Sequence, residues 1–197
     1  MDENITFVTI GSQQWADKNL NVSKFRNGDD IPQATTKEEW EAACANEQPI
    51  CCSYEYSSTN GNQFGMLYNW HAVADARGLA PEGCHIPTDD EWTVLSDALG
   101  GEPVAGAAVK SVSGWADVDP ETNGNGTNSS GFNALPGGYR GHESSFYGMN
   151  TLAVYWSCTE YLTYSVRTRV LSHDNDYLYR DGGMNKHYGF AVRCVKD

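Results

Sequence analysis

A loop-rich α+β fold, with a mixed, mainly antiparallel sheet, two main helices and long ordered loops, is what the sequence predicts. Two stretches combine a helical apolar stripe with a complete start signal. Residues 113–141 are dense in Asn-Gly and Ser-Gly, the signature of successive tight turns. Residues 154–195 break into four segments that read as strands. No proline-rich or low-complexity linker divides the 197 residues, so one domain is expected.

Residues 5–20 read as a hairpin, ITFVTI and QQWADKNL about Gly11-Ser12. A polar loop through Asn27-Gly28-Asp29 leads to Ile31-Pro32. TKEEWEAACAN is the first helix, because Thr36 and Glu39 fit a capping box and Trp40, Ala43 and Cys44 share a face. CCSYEY is expected as a strand, STNGNQFG as a turn, and a short helix from about Asn69. HIPTDDEWTVLSDALGG gives the second main helix: Thr88 caps it, Glu91 reciprocates, Trp92, Leu95 and Leu99 point inward, and Gly100 stops it. In the turn-rich region Trp115, Phe132, Leu135 and Tyr139 serve as apolar anchors, and FNAL and YR are extended. VYWSCT, VRTRVLS, DYLYR and GFAVRCV then supply the late strands.

The formal charge of −13 argues against nucleic acid as a partner, since phosphate binding rests on clustered Lys and Arg. Residues 161–188 stand apart. There Arg167, Arg169, Arg180 and Lys186 face Asp174, Asp176 and Asp181, which makes the stretch about +1 and the remainder about −14. No apolar run reaches the length of a membrane helix, so no membrane insertion is expected. MDENITFVTI lacks the basic and apolar regions of a signal peptide. Cys44, Cys51, Cys52, Cys84, Cys158 and Cys194 form no CxxC pair, which leaves buried thiols or disulfides.

Signals for catalysis are weak. Asp89, Asp90 and Glu91 look like an acidic cluster but occupy a first helical turn, where negative charge meets the helix dipole. The five histidines show neither HxH nor HExxH spacing, so no zinc or copper site is signalled, and His85 is expected as a hydrogen-bonded core residue. Asp117, Asp119, Asn123, Asn125 and Asn128 could offer oxygen ligands to calcium, but the spacing is not that of an EF-hand and turn chemistry accounts for the same residues. GxSxG, a Cys/His nucleophile signature and a phosphate loop are missing. The six tryptophans suggest sugar stacking or core, and core is the expectation for most.

The stretch 161–188 is different in kind. Strand alternation sets Arg167, Arg169 and Leu171 on one side and Thr168, Val170 and Ser172 on the other. Leu178 points opposite to Tyr177 and Tyr179, so Leu171 and Leu178 can support a face whose tyrosines point out. Exposed Tyr with Arg, Ser, Asp and His is the composition of a recognition surface.

IGSQQWADKNLNV, FRNGDDIP, GMLYNWHAV, RGLAPEGCHIPTDDEW, GNGTNSSGFNALPGGYRG, YWSCTE and GFAVRCVKD closely resemble, in order, the Fibrobacter succinogenes major paralogous domain family. HIPTDDEW and GFAVR also resemble the formylglycine-generating enzyme group, and both likenesses imply a C-type-lectin-like fold. Some proteins of this lectin-fold group are variable proteins of diversity-generating retroelements, in which adenines of a C-terminal coding stretch are replaced. Randomised asparagine codons yield every residue type of 161–188 except Met184 and Lys186. The resemblance thus implies a non-enzymatic binding protein at a cell surface or phage particle, with a variable region at about 155–188 and a protein or glycan as ligand. Its implied contact residues are Tyr161, Thr163, Tyr164, Arg167, Thr168, Val170, Ser172, His173, Asp174, Asp176, Tyr177, Tyr179, Asp181, His187 and Tyr188, with Gly182 and Gly183 also varied. Arg169, Leu171, Arg180, Gly189 and Phe190 are the implied frame. Cys84 and Cys158 depart from the family's usual Trp and Ser, which suggests that they pair with each other. No active-site cysteine pair matches, so oxidase activity is not carried over. An invariant structural or adhesive module of the same family is the rival reading.

Overall fold

The computed structural model describes residues 5–197; the first four residues of MDENITFVTI lie outside the described residues. The first half of the chain runs β1 (Phe7–Ile10), β2 (Gln13–Ala16), α1 (Lys37–Ala45), β3 (Cys51–Cys52), α2 (Ser58–Phe64), β4 (Leu67–Tyr68), α3 (Trp70–Val73), β5 (Cys84–His85) and α4 (Asp89–Ala98). The second half runs α5 (Glu102–Val109), β6 (Asp117–Asp119), β7 (Thr122–Asn123), β8 (Gly137–Arg140), β9 (Phe146–Met149), β10 (Leu152–Leu162), β11 (Ser165–Ser172), β12 (Tyr179–Asn185) and β13 (Val195–Lys196). The fold is mixed α+β. One sheet has the order β1-β2-β13-β5 and is antiparallel throughout. The larger has the order β12-β11-β10-β8-β9, with β10 and β8 its parallel pair. Among the described residues no helix is long and apolar enough to cross a membrane.

Both expected capping boxes form. Thr36 Oγ1 accepts from Glu39 N at 3.2 Å and Thr88 Oγ1 from Glu91 N at 3.2 Å, while each glutamate accepts from its threonine's N–H. Three further α-helices join these two. α2 replaces the turn expected at STNGNQFG, because the Ser57 side chain accepts from Asn60 N and the helix delivers Phe64 to the interior. α3 starts behind Asn69, as expected. α5, which no sequence pattern marked, has Pro103 in its first turn, and its exposed C-terminal carbonyls are met by the Asn/Gly loop that follows. Thr127 N donates to Ala107 O, Ser130 N to Ala108 O and Ala134 N to Val109 O. The loop is ordered because it caps the helix.

Two strand expectations shorten. CCSYEY leaves the ladder after Cys52 and turns through a single 3₁₀ turn at Tyr54–Tyr56. GFAVRCV is not one strand: Gly189, Phe190 and Ala191 make single bridges to Arg140, Tyr68 and Tyr155, and only Val195–Lys196 joins a ladder. The segment wedges between β8 and β10, whose own pairing is confined to Ala153 and Gly138, so it changes partner at each residue.

One face of the large sheet, with Ala153, Tyr155 and Leu171, packs on α4 and α5 through Trp92, Leu95, Ala105 and Val109, together with Trp15 and Phe132. The opposite face, with Val154, Trp156 and Val166, packs on Tyr68, Phe190 and Val192. All six tryptophans are at most 8% exposed, which assigns them to the core. All six cysteines are free; Cys84 is buried and Cys158 exposed, so the suggested bridge between them is not formed. His85 is half-exposed, not a core residue. Its Nδ1 lies 2.8 Å from Asp197 and its Nε2 2.6 Å from Glu91, and these carboxylates raise its pKa against the opposing effect of burial.

Gly106 brings α5 against the β11–β12 loop, its N–H donating to Asp176 O at 2.8 Å. A Cβ there would stand 2.6 Å from the carbonyl oxygens of Asp176 and Tyr177. Gly-to-Ala in a helix interior ordinarily stabilises by up to about 1 kcal/mol. Here Gly106→Ala is expected to lower stability by about 1–3 kcal/mol through overpacking, read as a reduced urea midpoint; a raised midpoint contradicts the packing described.

Candidate functional site

Within 161–188 the two leucines are anchors, with Leu171 0% and Leu178 1% exposed. Tyr177 and Tyr179 point out at 38% and 40% exposure, and their rings stack in parallel at 4.7 Å. Tyr161, Thr163, Tyr164, Asp174 and Asp176 are also exposed, while Arg167, Val170, Ser172, His173, Asp181, His187 and Tyr188 are half-buried. Thr168 is a correction. It is fully buried, because the register sets it beside Trp156 of β10 and Asp181 of β12 on a part of the sheet that the core covers, so it cannot meet a ligand as Val170 and Ser172 can.

The candidates form a ridge along β11, about 25 Å long at roughly 3.3 Å per residue, not one pocket. At one end the β10–β11 turn carries Tyr164 and Tyr161, with the Arg167 guanidinium 3.8 Å above the Tyr161 ring. Gly182 lies beneath; a Cβ there would meet Arg167 Nη1 at 2.3 Å. At the other end are His173, Asp174 and Asp176. Between them the register sets Tyr179 and Val170 on one side, and Tyr139 and Tyr147 on the other, of the buried Val154 of β10, in one row across the five strands. Tyr188 stacks on Phe190 at 5.2 Å and reaches His142 at 5.3 Å. Burial, then the nearby Glu143, Tyr147 and Asp181, raise the Tyr188 phenol pKa, so it is a neutral hydrogen-bonding group at neutral pH. Tyr139, read as an interior anchor, is therefore half on the surface, and Tyr147 and His142 join the same face from outside the tail. The Gly-Gly-Tyr-Arg alternation of β8 was the available signal for Tyr139; nothing local marked Tyr147.

The scaffold grips this ridge from beneath. Asp89, in the first turn of α4, receives Arg169 Nη1 on one carboxylate oxygen and Arg180 Nε and Nη2 on the other, the latter two at 2.8 and 2.5 Å. Arg169 Nη2 also donates to Asp89 O at 3.0 Å and to Thr93 Oγ1 at 3.1 Å. Burial alone would raise the Asp89 pKa, but the hydrogen bonds from Arg180 and the charge of Arg169 hold it below the usual carboxylate range. Lys110 Nζ, buried behind the loop, donates to Asn175 O at 2.8 Å and Ser172 O at 3.3 Å. Leu178 N donates to Glu102 O, and His173 N to Thr151 O, both at 2.9 Å.

The acidic cluster thus divides: Asp89 locks two strands, while Glu91 completes the capping box and lies 2.6 Å from His85 Nε2. Asp117, Asp119 and Asn123 lie exposed on the β6–β7 hairpin. Asn123, Asn125 and Asn128 spend side-chain oxygens on the N–H groups of Asn125, Trp115 and Asn133. Among the described residues no group of three or more His, Cys, Asp or Glu is placed to hold a metal.

Asp89→Asn leaves two arginines around a neutral side chain, one of them buried. A loss of about 3–5 kcal/mol is expected, measured by urea denaturation. Because the folded pKa is depressed, this carboxylate's contribution is full above its unfolded value of about 3.9 and disappears as pH falls through the folded value. The variant's stability curve should therefore lose part of its acid limb below about pH 4; an unchanged limb assigns acid unfolding to other carboxylates.

No curated protein and no solved structure matches the chain. The model of the Fibrobacter succinogenes major domain matches residues 8–196, from the first strand to the last. The chain belongs to the Fibrobacter succinogenes major domain family.

Proposed function

We propose that the protein is a non-enzymatic, receptor- or adhesin-type binding protein of C-type-lectin-like fold, the variable protein of a diversity-generating retroelement. It meets a protein or glycan ligand through residues 161–188, outside the cell or on a phage particle, with no cofactor of its own. The observation that carries this reading is how the ridge is held. Lys110, Gly106, Glu102 and Thr151 all bond to the main chain of residues 172–178, and Arg169 and Arg180, of the implied frame, supply the side-chain lock. Side chains at Tyr161, Thr163, Tyr164, Asp174, Tyr177 and Tyr179 can change while every one of those bonds remains, whereas the Asp176 carboxylate also pairs with the buried Lys110 at 3.6 Å. Large tyrosine surfaces with few rotatable bonds then give contact area at low entropic cost.

Sequencing the tail codons from many cells of one source culture tests this. Expected are differences at the exposed and half-buried positions named above, with Arg169, Leu171, Arg180 and Phe190 fixed, Thr168 limited to small side chains, and an adenine-rich near-copy of the tail beside a reverse transcriptase gene. A uniform tail with no such copy assigns the protein to the invariant adhesive modules instead. Tyr179→Ala should change folding stability by no more than about 0.5 kcal/mol, since its ring supports no core residue.

A further inference from the structure

A cleft of about 320 Å³ lies away from the ridge, lined by no residue of 161–188. Its walls come from three separated stretches: Asp17, Lys18, Asn19 and Asn21 after β2, Asn62 to Gly65 at the end of α2, and Asn133 with Leu135 before β8. Arg193 closes the floor and joins these stretches. The buried guanidinium donates to Asn19 Oδ1 at 2.7 Å, Ala16 O at 2.6 Å, Phe132 O at 2.7 Å and Asn133 O at 3.1 Å. Asn19 in turn donates to Phe64 O at 2.7 Å. Gly65 is held at φ +80°, where a Cβ would stand 2.8 Å from Leu20 O, so the wall admits no larger residue there. The cleft is a built cavity.

Most of its unbonded polar groups are primary amides. Asn21, Asn62, Gln63 and Asn133 make no side-chain hydrogen bond to another described residue. Each primary amide offers two donors and an acceptor in one plane, the pattern that matches a hydroxyl, which both donates and accepts. Asp17 and Lys18 oppose each other in charge at the mouth, and the Arg193 guanidinium beneath them is taken up by four protein oxygens. Leu135, half-buried, with the buried Phe64 behind it, supplies the apolar part of the lining among the amides. The volume is near the lower bound of ligand pockets, room for one or two sugar rings.

We propose that this cleft is a second binding site, on the constant part of the chain, for a neutral mono- or disaccharide unit of a glycan. Amides of Asn21, Asn62, Gln63 and Asn133 hold the hydroxyls, and the Phe64–Leu135 patch receives the C–H face of the ring. The site stands independently of any diversity in the tail.

The test is an NMR titration of the ¹⁵N-labelled protein with glucose, galactose, mannose, N-acetylglucosamine, cellobiose and lactose, with glucuronate and triglycine as competing chemistries. At least one neutral sugar is expected to shift the side-chain amides of the four residues while resonances of 161–188 stay in place. Asn62→Ala and Gln63→Ala, on the exposed side of α2 and so not required for folding, should each weaken binding about tenfold, the loss of roughly one hydrogen bond. The proposal is overturned if no neutral sugar moves these amides, if glucuronate or triglycine moves them instead, or if both variants bind as the parent does.

Discussion

Two arginines from neighbouring strands meet one buried carboxylate, and the placement of the outer two strands follows from that meeting. Arg169 is buried against α4, where its guanidinium loses water, and Asp89 compensates through one oxygen while its other oxygen takes Arg180. The cluster fixes β11 and β12 relative to the helix at once. Because Asp89 sits in the first turn of α4, the helix dipole reinforces the same charge. A hydrophobic contact could bring the strands near the helix, but a three-group ionic lock also sets their register, since a shift of one residue would move both arginines to the wrong face.

With the inner side of the strands fixed in this way, and Val166 and Thr168 held in the core on the other face, the outward side chains of the β11–β12 loop carry little of the packing. The loop from Ser172 to Tyr177 shows why. Lys110 and Gly106 bind its carbonyls, and Glu102 and Thr151 receive flanking N–H groups, so much of the loop's order rests on its main chain, to which Asn175 adds a side-chain bond to Tyr177 N and Asp176 an ion pair with Lys110. The proximity of Gly106 makes this grip possible, because only a residue without Cβ lets a helix approach a loop backbone so closely.

Buried arginines perform comparable work elsewhere. Arg193 lies over Phe132 at 4.1 Å and gathers two stretches, 16–19 and 132–133, by their oxygens. Arg140 lies between Trp40, Phe146 and Tyr56, at 4.7, 4.9 and 5.2 Å from their rings, and donates to Tyr56 Oη at 2.7 Å. A fold so rich in irregular chain has few long ladders to satisfy its backbone, and a planar cation with five donors can tie several carbonyls in one place. Arg193 does this for the stretches at 16–19 and 132–133.

The sequence by itself determined what local physics controls. Both capping boxes, the first hairpin, the Leu171 and Leu178 anchors and the outward Tyr177 and Tyr179 were legible, because capping and alternation depend on residues within a few positions of each other. The family was legible too, through blocks spread along the whole chain. Only tertiary structure decided the rest. α2 is helical where its Asn-Gly reads as a turn, since burying Phe64 outweighs a weak local preference. Thr168 is inside although it shares its phase with Val170, because burial depends on what covers each part of a sheet face and alternation does not encode that. The Asp89–Arg169–Arg180 lock joins positions 80 and 91 residues apart, and the cleft over Arg193 joins stretches farther apart still. Contacts at such separation leave no periodic trace along the chain; they exist only when the chain has folded.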